Sequence, residues 1–368
     1  MPESDGRFER TGLDRRDRLA DYVRACGFDA HAYLQQNADL RAALSDAPAA
    51  LNHFLEFGCN EDRTVQCGRL PDGLEALSAL EIPDRQYGNT LFRSICIAQL
   101  NNPGTAERLW QGIGRPTLDA IRRRGGMPYF VIGDSHANHY FRLDRIGEKW
   151  LTPLVLVCHG ATALDLANAN APISFRQNIL RWSAREAPDA DIPIFLKFGG
   201  LDAEFRWFLR CLKNNVQHFS MDEFEHHARH SVVRYGCFLA DLTKTIATAR
   251  LRVCSVFPSV LPDARWAEGF VRAHRVSPER DRLLLRQLQT LEVPQLQIRT
   301  DMRALYNSYL RTMCEESGFI FVDDFTPLLG AGGVLDPRYL GQNGGDDHHV
   351  DHDATKSAIM EILRAHLP

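Results

Sequence analysis

Two short polar segments of this sequence carry residue types that could act together as a nucleophile and its base. The first is Gly133-Asp134-Ser135-His136, directly after an apolar run. A serine on a sharp turn between a strand and a helix presents its hydroxyl away from the sheet, and the backbone N–H groups that follow can stabilise an oxyanion. The segment therefore predicts that Ser135 is a nucleophile. The structural alternative is that Ser135 or Asp134 only caps the following helix.

The second segment, residues 344–353, contains three histidines and four aspartates within eight positions. Asp346 precedes His349 by three residues, so its carboxylate can accept a hydrogen bond from one imidazole nitrogen and leave the other as a base for Ser135. The aspartates after His349 have a simpler role as helix caps. The alternative for the cluster is a metal site, because imidazole and carboxylate ligands suit zinc or manganese. Since the helical HExxH spacing is missing, we expect neither a metal nor another cofactor.

Both segments need a rigid scaffold, and the sequence after residue 126 alternates between short apolar runs and helical patterns. The runs are rich in Val, Ile and Phe, as buried parallel strands are, and they cover residues 127–136, 151–160, 191–200, 251–260 and 319–325. Helical spacing is clearest over residues 300–317 and in a last helix starting near Asp353. The pattern predicts an α/β fold, a three-layer doubly wound sheet of about five parallel strands with the site at their carboxyl ends.

Composition shifts divide the chain into four regions. Residues 1–18 carry five arginines and five acidic residues without an apolar run, which predicts a flexible arm. Residues 19–66 show helical spacing and predict a small helical module. Residues 67–126 contain four prolines between short helical pieces and predict a connecting region. Residues 127–368 form the domain that holds both polar segments.

The composition excludes several classes of protein. Apolar residues make up 44% of the 368 residues and charged residues 24%, which is typical of a globular protein and not of a disordered or coiled-coil chain. The net charge of -4 argues against nucleic-acid binding. No apolar run reaches about 18 residues, and the start of the chain has no secretory h-region. Nine cysteines without a CxxC pair predict reduced thiols. We therefore expect a cytoplasmic protein without a membrane span.

Together the two polar segments identify a family resemblance. GDSH after the first strand, and Asp-x-x-His before the last helix, resemble the first and last motif blocks of the SGNH (GDSL-like) hydrolase superfamily over residues 127–368. The resemblance implies that Ser135 is the nucleophile, His349 the base and Asp346 its orienting partner. It also implies that the backbone N–H of Gly160, at the end of the second strand, joins that of Ser135 in an oxyanion hole.

The third motif block departs from the family pattern. The family usually ends its third strand in Gly-x-Asn-Asp and uses the Asn amide as an oxyanion donor, whereas this chain has Phe198-Gly199-Gly200-Leu201-Asp202. The string is similar to the FGEID-type variant of uncharacterised SGNH-like proteins from bacterial polysaccharide loci. Asp134, Gly160, Gly200 and Asp202 are the predicted oxyanion and substrate residues. The structural alternative makes Gly200 part of a turn and Asp202 the cap of the next helix.

The beginning of the chain bears on the substrate. Residues 28–63 are similar to a short helical repeat found beside glycosyltransferases and other surface-polysaccharide proteins. The resemblances together imply a serine esterase or O-acyltransferase acting on acyl esters, above all acetyl esters, of a saccharide. They also imply polysaccharide-biosynthesis proteins as partners of the helical module. Two other classes stay open: a metal-dependent hydrolase using residues 346–353, and a catalytically silent glycan-binding or assembly protein, suggested by the missing Asn.

Overall fold

The computed structural model describes two stretches of the chain and a few isolated positions. The stretches are residues 30–53 apart from 42 and 45, and residues 125–368 apart from 143, 159, 169–174, 187–191, 274–277 and 341–347; positions 115, 118 and 122 are also described. Backbone contacts divide the chain into two units, Met1–Pro128 with Gly147–Leu154, and Tyr129–Ile146 with Val155–Pro368.

The described residues of the first unit include residues 30–53, which lie within the predicted helical module. It contains the helices Ala30–Gln36 and Ala47–His53 and a short 3-10 turn, Ala38–Leu40. Tyr33 is fully buried, and its hydroxyl lies 3.0 Å from Nδ1 of His53. The two helices are thus held together by a buried aromatic with a polar end, a common use of tyrosine. The predicted arm at 1–18 and most of the predicted connecting region at 67–126 lie outside the described residues.

A six-stranded sheet organises the described residues after 125. Its strands are β1 Gly126–Gly133, β2 Arg145–Ile146, β3 Lys149–Val157, β4 Ile194–Lys197, β5 Leu251–Cys254 and β6 Ile320–Val322. The strand order is β2-β3-β1-β4-β5-β6, and β1, β4, β5 and β6 are parallel to one another. The α/β prediction is confirmed, with the short β2 as an unpredicted sixth strand. Because β3 and β4 lie on opposite sides of β1, the strand order reverses beside β1, where such sheets bind ligands.

Helices connect the strands and contribute apolar faces to the core. Their bounds are Ala163–Leu166, Phe175–Glu186, Trp207–Lys213, Met221–Leu242, Trp266–Ala273, Pro278–Leu288, Leu296–Ser317 and Lys356–His366. The last helix begins at Lys356 and not near Asp353, because Asp351 Oδ1 accepts a hydrogen bond from the Ala354 N–H and forms a separate turn first. In the described part of the chain, we find no helix with the length and apolarity needed to cross a bilayer.

A glycine at the end of β1 sets the distance between the two central strands. A Cβ atom at Gly133 would lie 2.3 Å from the Lys197 backbone oxygen and 2.8 Å from the Lys197 Cβ. Any other residue would push β4 away, because contacts this short do not occur between real Cβ atoms and backbone oxygens. Gly133 therefore brings the carboxyl end of β4 close to the turn that carries Ser135.

Candidate active site

The structure brings the predicted nucleophile and the predicted base into contact. Ser135 is the first residue of a 3-10 helix, Ser135–Tyr140, that follows β1 directly. His349 comes from the loop before the last helix, 214 residues later, and its Nε2 lies 2.7 Å from Ser135 Oγ. Both side chains are partly exposed. The separation is within the range in which a base can remove the proton of a hydroxyl nucleophile. Asp346, the predicted partner of His349, lies outside the described residues.

Asp134 forms two hydrogen bonds with its neighbour His136. One carboxylate oxygen, Oδ1, accepts hydrogen bonds from the His136 backbone N–H and from His136 Nδ1, each at 2.9 Å. Burial acts to raise the pKa of Asp134, but the charge and hydrogen bonds of His136 outweigh it and hold the pKa below its usual value. Burial also lowers the pKa of His136, against the opposing effect of Asp134. Asp134 is therefore a carboxylate that holds the His136 ring through Nδ1.

The tautomer of His136 follows from this pairing. A carboxylate can only accept hydrogen bonds, so Nδ1 of His136 carries a proton, and in the neutral form of the ring Nε2 carries the lone pair. His136 is 2% exposed, and Nε2 has no hydrogen-bond partner among the described residues. A buried acceptor without a partner is unusual in a folded protein. Among the described residues, His136 thus leaves a buried ring nitrogen unbonded, one position after Ser135 in the chain.

Three histidines meet at this point. The ring centroid of His136 lies 5.3 Å from that of His348 and 5.0 Å from that of His349, and the last two are 3.9 Å apart. Each ring offers one nitrogen, and the three nitrogens lie within 4.8 Å of one another. In the part of the chain that the structure describes, this is the only group of three or more such side chains with metal-ligand spacing. We call it the histidine cluster.

The histidine cluster differs from the metal site that residues 346–353 suggested. His352 lies instead beside His139, with a centroid distance of 5.7 Å, and the side chain of Asp353 is exposed. Among the described residues of that segment, only His348 and His349 join the cluster, and its third member comes from the turn after β1. Nearby residues of an irregular loop can face different surroundings, so closeness in the sequence did not predict which side chains come together.

Gly160, the predicted second oxyanion donor, lies in the turn after β3. Its φ of +72° is in the left-handed region, which glycine adopts without strain, and the residue is exposed. Gly200 is buried, and a Cβ atom there would lie 3.4 Å from Asp134 Oδ2 and from the His136 ring. Gly200 thus packs against the Asp134–His136 pair.

Asp202 is fully buried and binds backbone N–H groups of another segment. Its Oδ2 accepts from the Ala163 N–H at 2.7 Å and its Oδ1 from the Leu164 N–H at 3.2 Å. It therefore caps the helix Ala163–Leu166, which begins three residues after Gly160. The alternative in which Asp202 caps its own helix is wrong, because that helix is already continuous from Gly200 and Asp202 lies within it. Burial, opposed by the two N–H groups, raises the pKa of Asp202 to about 6.

A buried lysine network below the site was not predicted. Lys197 Nζ, at the end of β4, lies 2.7 Å from Asp324 Oδ2, which also accepts from the Tyr140 hydroxyl at 2.7 Å. Ser255 Oγ donates to Asp324 Oδ1 at 2.6 Å. These contacts join the carboxyl ends of β4, β5 and β6 to the turn that carries Ser135. In the sequence, this network is indicated by the lysine that ends the otherwise apolar run 194–197, because a lysine there must be buried with a partner.

Comparisons with known proteins give weak similarities. No protein family and no curated protein sequence matches the chain. Among solved structures, the lipase Lip_vut3 from a goat rumen metagenome is 15% identical, with a TM-score of 0.37 over 65% of this chain and 97% of that one. A putative acylhydrolase from Bacteroides fragilis is 12% identical, with a TM-score of 0.35 over 65% and 86%.

A third similar structure is phospholipase A1 from Streptomyces albidoflavus, which is 14% identical, with a TM-score of 0.33 over 65% of this chain and 98% of that one. Identities and TM-scores this low do not assign the chain to a family. The function proposed below depends on the geometry of the site itself.

Proposed function

We propose that the protein is a serine ester hydrolase or acyltransferase with Ser135 as nucleophile and His349 as base. The observation that carries the proposal is the 2.7 Å contact between Ser135 Oγ and His349 Nε2 at the carboxyl end of β1. A hydroxyl is a weak nucleophile by itself and needs an adjacent base within hydrogen-bond reach. Ser135 is partly exposed beside the point where strand order reverses, so a substrate can reach it.

The proposed reaction has two halves. Ser135 Oγ bonds to the ester carbonyl carbon while its proton moves to His349 Nε2; the carbon–oxygen bond to the alcohol then breaks, and His349 returns the proton to the departing oxygen. In the second half, water or a sugar hydroxyl gives its proton to His349 and attacks the acyl carbon; the bond from that carbon to Ser135 Oγ then breaks, and His349 returns the proton to Ser135 Oγ. The acceptor decides whether the reaction is hydrolysis or transfer.

Two further roles belong to this proposal. The backbone N–H groups of Ser135 and Gly160 are the proposed oxyanion donors, since the family's Asn has no counterpart here. The positive φ and exposure of Gly160 agree with this role. The carboxylate of Asp202 is bound to Ala163 and Leu164, so it supports the turn after Gly160. Asp346 is the proposed orienting partner of His349.

The proposed substrate is an acyl ester, above all an acetyl ester, of a saccharide. Its support is the resemblance of residues 28–63 to a helical repeat of surface-polysaccharide proteins. We propose that this module positions a glycan or a biosynthetic partner, because binding remote from the reacting bond contributes to specificity. The two described helices of the module provide a folded unit for such contacts.

Turnover of p-nitrophenyl acetate and of longer p-nitrophenyl esters tests the proposed chemistry. We expect Ser135→Ala to lower kcat/KM by at least about 10⁴-fold, because the nucleophile of such a site cannot be replaced by water at similar rate. A fluorophosphonate should add to Ser135, as measured by intact-mass spectrometry. Ser317→Ala, at an exposed helix end, is the control and should change neither result. Undiminished turnover by a folded Ser135→Ala variant would overturn the proposal.

A further inference from the structure

We propose that His136, His348 and His349 form a binding site for a transition-metal ion such as Zn²⁺, and that metal binding there switches off Ser135. The second half of this inference rests on the proposed function, whereas the metal site itself does not. The three rings come from two distant segments and offer nitrogens within 4.8 Å of one another. Imidazole is a preferred ligand of zinc, copper and nickel.

The environment of His136 is that of a metal-binding histidine. Metal-ligating histidines almost always donate their second ring N–H to a carboxylate or carbonyl, which fixes the tautomer and raises the basicity of the other nitrogen. His136 does this through Nδ1, which lies 2.9 Å from Asp134 Oδ1. The opposite nitrogen, Nε2, is buried without a hydrogen-bond partner in the described part of the chain. An ion would satisfy this atom.

The spacing of the three nitrogens permits coordination after a small movement. Zinc–nitrogen bonds of about 2.0–2.1 Å place the nitrogens of a tetrahedral site about 3.4 Å apart. The rings therefore need to approach by about 1 Å, which side-chain rotation can supply. Aromatic rings line two sides of the cluster: Phe205 lies 5.0 Å from His348, and Phe257 lies 5.6 Å from His136, centroid to centroid. Three protein ligands leave a fourth position for water.

Metal binding and base catalysis exclude each other at His349. A neutral imidazole has one bare nitrogen lone pair, and its other nitrogen carries a proton. When either nitrogen of His349 binds the ion, the other keeps its N–H and cannot accept the proton of Ser135. The ion therefore stops the first half of the reaction whichever nitrogen it occupies. His348 and His349 each retain their second nitrogen for other contacts, as metal ligands generally do.

Metal binding can be measured independently of turnover. The full chain without an affinity tag, with Ser135→Ala, is stripped with a chelator and titrated with Zn²⁺ by calorimetry and with Co²⁺ by visible absorption. We expect one ion per chain and the absorption of a four-coordinate cobalt site. His136→Gln should weaken binding by at least about 100-fold, and Asp134→Asn by about 10- to 100-fold, through loss of a ligand and of its carboxylate partner.

The control variant removes another pair of histidines. His226 and His230 are exposed and lie one turn apart on the helix Met221–Leu242, a spacing that can hold a metal by itself. His226→Gln/His230→Gln should leave the stoichiometric binding unchanged. His348→Gln gives a second route to the result if His136→Gln does not fold. Absence of saturable binding to the Ser135→Ala chain, or equal binding after both His136→Gln and His348→Gln, would overturn the metal site.

Inhibition is measured on the chain with Ser135 intact. Metal-free enzyme should be active on p-nitrophenyl acetate, Zn²⁺ should inhibit with a midpoint equal to the measured Kd, and chelator should restore the rate. Turnover that requires Zn²⁺ and survives Ser135→Ala would overturn the inhibitory role and the proposed serine mechanism together. Turnover that depends on Ser135 but does not change when the metal site fills would overturn only the inhibitory role.

Discussion

Glu204 and His136 are both buried in the second unit, but they differ in their hydrogen bonds. Around Glu204 both carboxylate oxygens accept hydrogen bonds: Oε2 accepts from Ser259 Oγ at 2.9 Å and from two nitrogens of Arg303 at 3.0 and 2.8 Å. Oε1 accepts from Trp266 Nε1 at 2.9 Å, and Arg299 Nε adds an ion pair at 3.5 Å. In the histidine cluster, by contrast, Nε2 of His136 has no such partner among the described residues.

The difference separates a structural role from a chemical one. A fully bonded buried charge holds elements in place and has no capacity left for a ligand. A buried polar group without a hydrogen-bond partner costs about 1–3 kcal/mol of stability. Such a group calls for an explanation such as a bound ion or a catalytic role. Changes around Glu204 should therefore alter mainly stability, and changes in the histidine cluster should alter mainly chemistry.

The largest effect of a single change in the cluster is expected from His349→Gln. Loss of a general base typically lowers the rate by about 10²- to 10⁴-fold, so kcat/KM for p-nitrophenyl acetate in metal-free buffer should fall by that factor. The midpoint of urea unfolding should change little, because His349 is only partly buried. Stopped-flow or steady-state assays at several enzyme concentrations measure the fall.

His352→Gln is the matched control for this change. The His352 ring is half-exposed, and the bond from Arg142 Nη2 goes to the His352 backbone oxygen, which the substitution keeps. Turnover should stay within a few-fold of wild type. A collapse of turnover in His352→Gln, with His349→Gln nearly normal, would show that the base had been assigned to the wrong histidine.

A smaller free-energy change is expected when the main partner of Glu204 is removed. Arg303→Met removes both nitrogens that bond Glu204 Oε2 and leaves a buried carboxylate short of its main cation. The free energy of unfolding should fall by about 3–5 kcal/mol, as measured by urea denaturation. The folded fraction should still be phosphonylated at Ser135 by a fluorophosphonate.

An exposed pair tests whether burial causes this loss. Arg206 and Asp165 form an ion pair at 3.1 Å with side chains 44% and 36% exposed. Arg206→Met should lower the free energy of unfolding by less than about 1 kcal/mol, because water screens the pair. The double variant Glu204→Gln/Arg303→Met should recover part of the Arg303→Met loss. Equal losses at the two sites would contradict the contrast between the buried and the exposed pair.

The sheet and the turn that carries Ser135 follow from local features of the sequence, whereas the pairing of Ser135 with His349, 214 residues later, was predicted from the family resemblance of the two segments. Short apolar runs of Val, Ile and Phe predict buried strands because strand formation depends on nearby residues. The apolar runs are longer than the strands they form. Residues 191–200 predict a strand, but β4 ends at Lys197 and the next helix begins at Gly200. The turn after β1 was predictable for the same local reason.

The polar pairings depend on packing across long separations and could not be read from spacing. Glu204 bonds Arg303, 99 residues later, and Asp202 bonds the N–H of Ala163, 39 residues earlier. His136 joins His348 from the far end of the chain. In each case the sequence shows a polar residue in an apolar segment but does not identify its partner. The fold decides which buried polar groups face one another.

Asp202 and Glu204 provide the closest comparison of this kind, since they are two residues apart and equally buried. Burial acts to raise the pKa of Glu204, but Arg303 and Arg299 outweigh it and hold the pKa below its usual value. The two hydrogen bonds that Asp202 accepts from Ala163 and Leu164 come from backbone N–H groups and not from a cation. Burial therefore raises the pKa of Asp202 to about 6. The two carboxylates should therefore make opposite contributions to the pH dependence of stability.

The sign of each contribution follows from proton binding. Between about pH 4 and pH 6 the folded chain keeps the proton of Asp202 while the unfolded chain has released it, so rising pH through this window lowers the free energy of unfolding by on the order of 3 kcal/mol. Asp202→Asn cannot ionise, so its free energy of unfolding relative to wild type should rise by that amount from pH 4 to pH 7. Glu204→Gln should show the opposite slope. The lowered pKa of Glu204 stabilises the folded chain at pH values above the pKa of the unfolded glutamate, and this stabilisation is lost as the pH falls. Urea denaturation measures both differences, from pH 4 to pH 7 for Asp202→Asn and below about pH 4.5 for Glu204→Gln, and shared titrations cancel within each. Parallel slopes for the two variants would show that Arg303 and Arg299 do not distinguish the two carboxylates.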